Sequence, residues 1–496
     1  MAILVATRQG DTISGTAEAD SITGSTSPDL IFGGQGGDTI SSGGPNFDIA
    51  GRDTLRGGGG DDVILTRAVG AQAFGDNGSD TLTHGGSDDS ALLEGGPGDD
   101  VVDGGLAETG WAFAGYLTAA AGVQVSLAIT GPQAVGGGHG ADTLRRLNGV
   151  VGSPYADTLT GGASDNILTR AVVLIGGGGD DRLTTDSRGG TLSGGAGDDL
   201  LVGGSGGDLV SYGPSFQLAL VGAPAGGAAG PVRASLAVGG PQTVGGGEGV
   251  DTLIGIEGLE GSAFADWLTG DDRSNTLLGG AGDDLVEGAG GEDLVFGDDG
   301  ADTLDGGAGD DNLGGWNGDD VLRGGDGADS LGGAQGNDLL DGGAGNDLLY
   351  SANGADTLEG GAGDDELHGV TDADVLQGNG GRDLLFGEDG ADVVRGGQGD
   401  DSVAGGAGAD WLAGDRGEDT LSGGQGADVF HTFAGAEVDR VVDFNPAEGD
   451  RVQLLAGAAF GVQQVGGDVV VTAGDAQLML AGVQLSTLPP GWIFGA

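Results

Sequence analysis

The sequence predicts an all-β fold, a solenoid of very short parallel strands stacked coil upon coil. Three observations predict it: a strict nine-residue period, glycine at two fixed offsets within it, and one apolar residue per period in constant register. Between residues 279 and 430 the period is marked by Asp284, Asp293, Asp302, Asp311, Asp320, Asp329, Asp338, Asp347, Asp356, Asp365, Asp374, Asp383, Asp392, Asp401, Asp410, Asp419 and Asp428, each nine after the last. Two residues after each stands an apolar side chain, from Val286, Val295 and Leu304 to Leu421 and Phe430. Glycine stands two residues before each aspartate except at Asp372, and five before except at Ser351.

Each element has a mechanical reason. Glycine lets the chain turn tightly with positive φ and no Cβ in the way. The carbonyls of such a turn and the Asp carboxylate then point at one spot, offering the hard oxygen ligands that Ca²⁺ prefers. Of the three residues that follow each Asp, the middle one is always apolar, which reads as a very short strand with one side chain facing inward. Turn, strand, turn, strand closes a flattened coil every 18 residues, so the apolar positions form two facing inner rows. The 17 units make about eight and a half coils, roughly 40 Å of stack at a strand spacing of ~4.8 Å.

Charge points the same way. Asp and Glu outnumber Lys and Arg by 77 to 17, a formal charge of −60, and every basic residue is Arg. A compact fold with that self-repulsion needs counter-ions. Nucleic acid and anionic lipid both require a basic footprint and are excluded as partners; divalent cations are the natural ones. Glycine supplies 118 of 496 residues, a composition often disordered, but the hydrophobic 37% falls in strict register. There is no Cys, hence neither a disulfide nor a thiolate metal site. The N-terminus, Met1 to Arg8, lacks the charged and apolar regions of a secretory signal peptide. No run approaches the roughly 18 apolar residues of a membrane span. A soluble chain is expected, exported, if at all, by a route that does not read its N-terminus.

The repeat resembles the RTX (repeats-in-toxin, haemolysin-type) nonapeptide, Gly-Gly-x-Gly-x-Asp-x-apolar-x, a pattern that implies calcium binding. Gly306–Gly314 and Gly342–Tyr350 are good copies. The resemblance implies a right-handed parallel β-roll with each Ca²⁺ held between a turn and its neighbour one coil on. The ligands it implies in the main block are the aspartates named above other than Asp374, where Asp372 replaces a turn glycine and a distorted or empty site is expected. Two edge rows of turns would hold about 15 ions, neutralising roughly half of the charge. Ala289, Trp316, Ala334 and Asn379 replace the second glycine, the more permissive position.

Upstream the repeat continues with interruptions, and Asp38, Asp62, Asp80, Asp100, Asp181, Asp199 and Asp208 are the corresponding ligands. Two longer insertions copy each other at an offset of 109: Gly131-Pro-Gln to Asp142-Thr-Leu corresponds to Gly240-Pro-Gln to Asp251-Thr-Leu. Each reads as an extra strand pair or wider coil grafted on the solenoid. The expected layout is interrupted repeats over 1–105, a first insertion over 106–175, a short repeat block over 176–210, a second insertion over 211–278 and the main roll over 279–430. Residues 431–496 contain alternating strands suited to capping the last coil. They also resemble the uncleaved C-terminal signal of RTX proteins exported by type I secretion.

Several RTX relatives are enzymes, but no enzyme is expected here. His84, His139, His368 and His431 are isolated and none begins His-Glu-x-x-His. Gly203-Gly-Ser205-Gly-Gly207 matches the lipase string Gly-x-Ser-x-Gly only inside a repeat in register with Asp208. Pore-forming relatives carry hydrophobic helices and are acylated on Lys, and this chain has neither. Trp111, Trp267, Trp316, Trp411 and Trp492 form no evident sugar platform in sequence and read as packing residues.

The expected protein is therefore a secreted, calcium-binding component of the exterior of a Gram-negative bacterium. It would fold on Ca²⁺ outside the cell and self-assemble as a surface-layer or matrix protein. Its partners would be calcium, its own copies or cell-surface polysaccharide, and the type I apparatus during export. The alternatives are a secreted polysaccharide-active enzyme resembling alginate epimerases, with an unrecognised active region in the N-terminal half, or an adhesin.

Overall fold

One nonapeptide fixes one strand and one turn, and the second fixes the return. In the computed structural model Leu339–Ala344 lies parallel to Val321–Asp326 before it and Thr357–Ala362 after it, with Leu340 opposite Leu322 and Leu358. On the other face Leu348–Asn353 lies between Ser330–Gln335 and Glu366–Thr371 in the same 18-residue register. The fold is an all-β parallel solenoid of about 22 turns, and among the described residues its one helical element is a 3₁₀ turn at Leu485–Thr487. The described residues are 3–5, 11–25, 29–42, 52–67, 70–85, 90–105, 110–162, 171–186, 188–214 and 227–495. Met1, Arg8 and Ala496, on which the readings of the chain ends partly rest, lie outside them, as do 106–109 and 215–226 at the edges of the expected insertions.

The strands are longer than three residues. Most in the main roll are six, running on through the first two glycine positions of the next turn. Alternation explains why: in Leu339–Ala344 the inward residues are Leu340 and Gly342, both buried. The core is thus two facing columns of leucine and valine separated by glycine. Leu340, Leu349 and Leu358 are fully buried, each contributing about 1.5–3 kcal/mol of hydrophobic stabilisation.

The chain divides into two compact units, Met1–Ala263 and Phe264–Ala496. The division falls inside the expected second insertion. In the first unit the insertions do not break the stack. Val101–Asp103 pairs directly with Ala141–Arg145, and Gly149–Val151 joins Ala112–Gly115 to Val172–Gly178. Leu92, Phe113, Val151, Val173 and Ile175 fill the core there, with Trp111 packed against them. The first insertion adds Gln124–Ser126, parallel to Thr158–Thr160, and a short antiparallel ribbon of Gln133–Ala134 on Ala141–Arg145. The second repeats the ribbon with Gln242–Thr243 on Val250–Ile254. The duplication extends to side chains. Gln133 accepts the Ser126 N–H and donates to its carbonyl at 2.8 and 2.9 Å, and Gln242 does both with Ser235 at 2.8 Å.

In the second unit the last coils are covered by antiparallel strands Phe460–Val465, Asp468–Ala473 and Ala476–Leu480, the last of them parallel to Val438–Val441. Ile493–Gly495 adds beside Arg451–Leu454.

Candidate metal centre

The aspartates of the repeat form columns along the solenoid edges. Each lies at the end of a turn, where its side chain folds inward instead of reaching into solvent. One carboxylate oxygen accepts the backbone N–H of the aspartate one coil earlier. Asp320 N–H donates to Asp338 Oδ1 at 2.9 Å, Asp338 to Asp356 at 2.8 Å and Asp356 to Asp374 at 2.9 Å. The facing column runs alike through Asp311, Asp329, Asp347 and Asp365.

The second oxygen is the informative one. In all 17 repeat aspartates from Asp284 to Asp428, Oδ2 is buried with no hydrogen-bond partner among the described residues. The same holds for Asp38, Asp62, Asp80, Asp100, Asp181 and Asp199. A buried unpaired carboxylate oxygen is costly in a water-free site. Its surroundings are oxygen-rich: a methyl group on Gly342 would lie 2.5 Å from Asp347 Oδ2 and 2.6 Å from the Gly360 carbonyl oxygen. Glycine at this first position therefore keeps a Cβ away from the carboxylate, Ser351 being the exception, and in these turns positive φ falls at the second and fourth positions, as at Gly343 (100°) and Gly345 (145°). The carbonyl oxygens of Gly325 and Gly327 lie against Gly343 and Gly345 of the next turn. Orphaned carboxylate oxygens beside backbone carbonyls, at a hydrogen-bonded coil-to-coil spacing, fit a hard divalent cation. Among the described residues no three His, Asp or Glu side chains converge as a metal cluster, so backbone oxygens must complete each site.

Electrostatics agree with geometry. Burial, reinforced by the aspartates above and below, pushes the Asp62, Asp284, Asp338 and Asp347 carboxyls up to about 7. Those of Asp100 and Asp181 rise to about 8. A cation bound here would supply the positive charge that these stacked carboxylates otherwise lack.

At Asp374, where a distorted or empty site is expected, the carboxylate is placed like those of its neighbours. The backbone N–H of Asp374 donates to Asp392 Oδ1 at 2.9 Å and its Oδ2 is orphaned like the rest. Asp372 meets the turn by adopting φ of 75°, a left-handed conformation that Asp tolerates better than most side chains. Asp208 also differs from its peers. Its Oδ2 accepts the Gly204 N–H at 2.7 Å, its Oδ1 is the orphan, and its own N–H turns to Glu257 at 3.0 Å.

Other members were not singled out in sequence. Asp53 was findable, having Gly51 two before and Leu55 two after. Asp20, Asp157 and Asp450 extend the columns but close their own turns, their Oδ2 accepting N–H groups of Thr16, Ser153 and Asn445 at 2.6–2.7 Å. In the insertions Asp142 and Asp251 are satisfied by the buried Tyr116 and Tyr212 hydroxyls at 3.2 and 3.3 Å. The residue before each aspartate is not free either. Asp319 Oδ1 accepts the Asn337 N–H at 2.8 Å, and Asn337 in turn accepts that of Ala355 at 3.1 Å. At the cap Asp439 is buried beside Asp419, and burial with that like charge holds its carboxyl well above the ordinary range. Ser205 sits in a turn leading into the strand Asp208–Ser211, with no helix after it.

The RTX calcium-binding nonapeptide repeat pattern matches residues 6–44, 50–68, 150–170, 175–210, 260–295, 296–331, 332–367, 368–403 and 404–432, more than half of the chain. No curated protein matches it. Twelve chains of solved structures match, among them the extracellular lipase LipA from Serratia marcescens, at 17% identity and a TM-score of 0.18. That match covers 47% of this chain and 40% of the lipase.

Proposed function

The chain belongs to the family of RTX calcium-binding nonapeptide-repeat proteins, and from that premise we propose that it is a secreted protein that folds on calcium outside the cell and serves as a structural component of a surface layer or extracellular matrix. The observation that carries this reading is the pair of columns of buried, unpartnered carboxylate oxygens. Left ionised without metal they repel along the whole stack. About 15 ions in the 279–430 block would relieve that repulsion. Extracellular calcium modules bind with dissociation constants of about 10⁻⁴–10⁻³ M. The chain would therefore stay unfolded and threadable in a calcium-poor cytosol and fold on exit.

Export is assigned to the type I route of a Gram-negative bacterium, with 431–496 as both cap and signal. The segments 106–175 and 211–278 are read as decorations of the scaffold. Among the described residues no helix is long and apolar enough to cross a membrane. The repeats themselves are non-catalytic, and no enzymatic role is assigned. Adding calcium to the purified chain and imaging it by electron microscopy tests the assignment: ordered sheets or filaments are expected, and persistent monomers would overturn the structural role.

One observation favours a second reading, a polysaccharide-active protein, with its site in the C-terminal half where the sequence suggested the N-terminal half. Arg395, Arg416, Gln377, Asn379, Gln398 and Phe433 line a polar cleft of about 390 Å³. Arg395 is paired with Asp415 at 2.8 Å, so Arg416 is the cation left to meet a carboxylated sugar. Turnover of a uronate polymer by monomeric protein would establish that reading.

A further inference from the structure

On the sheet face formed by Leu294–Asp299, Asn312–Asn317, Ser330–Gln335 and Leu348–Asn353, one outward column reads Phe296, Gly314, Gly332, Tyr350. The two glycines leave a trough between the aromatic rings. Three strand spacings separate Phe296 from Tyr350, ~14 Å. Trp316, in the neighbouring column, leans over its floor: its ring stands edge-on to Phe296 at 6.5 Å, and its indole nitrogen lies 3.4 Å from where a Gly314 Cβ would be. The space above Gly332 is open, with only the Leu313 carbonyl oxygen within 4 Å of a would-be Cβ, at 3.9 Å. The trough encloses about 330 Å³.

Three features say what it takes. First, none of its lining residues is charged, on a chain that carries 77 acids. Second, its aromatic walls are bare: Trp316 is 54% exposed and Tyr350 47%. Trp316 stands at the second turn position, whose left-handed backbone (φ 76°) carries its ring out over the sheet face. Third, the polar groups that reach the trough are unspent. The Trp316 indole, the Tyr350 hydroxyl, the Asn312 amide and the Ser330 hydroxyl have no side-chain hydrogen-bond partner among the described residues. Flat rings flanked by uncharged donors and acceptors match a pyranose, which offers an apolar C–H face and a hydroxylated edge.

We propose that this trough binds a neutral glycan of two or three sugar units across the strands. An anionic polymer is repelled by Asp298 and Asp299 at the end of the first of these strands and by Glu366 on the adjoining strand Glu366–Thr371. A second copy of the chain needs roughly 800 Å² per partner for a stable interface, far beyond a trough four strands wide, and brings its own −60 charge. The site needs only the folded roll and stands apart from whether the protein assembles into a layer.

The test uses the full chain with calcium bound, titrated calorimetrically with neutral tetrasaccharides (β-1,4- and β-1,3-glucan, α-1,4-glucan, xylan and mannan series) and with tetragalacturonate. At least one neutral series is expected to bind with a dissociation constant below about 5 mM. Trp316→Ala and Tyr350→Ala should each weaken it at least fivefold, and Gly332→Leu, which fills the floor, should abolish it. Phe386→Ala, on the same face beyond the trough, should bind as the parent does. Circular dichroism and bound calcium should be unchanged in all four, because the altered side chains lie outside the core. No binding by any neutral series, binding of the uronate alone, or undiminished binding by Trp316→Ala would overturn the proposal.

Discussion

Removing calcium at pH 7.5 is expected to unfold the main roll, and acidifying the metal-free chain is expected to restore part of it. Burial first, and like-charged neighbours in the column second, hold the carboxyls of Asp338, Asp347, Asp374 and Asp401 at about 7 in the folded chain, against 3.8 ordinarily. A folded-state value above the unfolded one means that ionisation opposes folding. The cost is absent below about pH 4, grows between about 4 and 7, and is complete above 7. Three pH units amount to about 4 kcal/mol per site, or about 2 after allowing for solvent screening at the edge. Over the six aspartates held at about 7, Asp284, Asp311, Asp338, Asp347, Asp374 and Asp401, this reaches on the order of 12 kcal/mol, comparable with the roughly 5–15 kcal/mol by which domains are usually stable. Far-ultraviolet circular dichroism in excess chelator measures it. The β-sheet signal should be lost at pH 7.5 and regained in part at about pH 5, which stays above the isoelectric point near 4.1. Calcium should restore it fully and cooperatively at pH 7.5. A metal-free chain with native signal at pH 7.5, or one no more ordered at pH 5, would refute the reasoning.

Asp338→Asn keeps an acceptor for the Asp320 N–H but removes charge, so bound calcium should fall by about one or two ions per chain by elemental analysis. Asp374→Ala should lose as much calcium as Asp338→Ala, since both carboxylates hold the same place; no loss would restore the empty site expected from Asp372. Gly342→Ala drives a methyl group against Asp347 Oδ2 and the Gly360 carbonyl and should cost about 1–3 kcal/mol in calcium-loaded stability by denaturant titration. Leu340→Ala leaves a hole in a fully buried column and should cost about 2–5 kcal/mol.

The period of the sequence determined most of the architecture. A fixed spacing of Asp, glycine and one apolar residue permits only a stack whose coils repeat every 18 residues, so the pairing of Leu340 with Leu322 and Leu358 follows from numbering alone. The same spacing named most of the orphaned aspartates. It did not reveal that the first glycine of a turn faces a carboxylate oxygen, or that the turn before Asp374 keeps its path because Asp372 adopts φ > 0. Those are contacts between coils, absent from any nine-residue window. Nor could composition tell which aspartates are orphaned and which are satisfied, as Asp142 is by Tyr116 and Asp251 by Tyr212, 26 and 39 residues apart in sequence. Trp316, read in sequence as a packing residue, is half exposed over a glycine floor because columns 18 residues apart bring Phe296, Gly314, Gly332 and Tyr350 side by side. Local chemistry is written in the repeat, whereas the partner that each group meets is decided only when one coil is laid on the next.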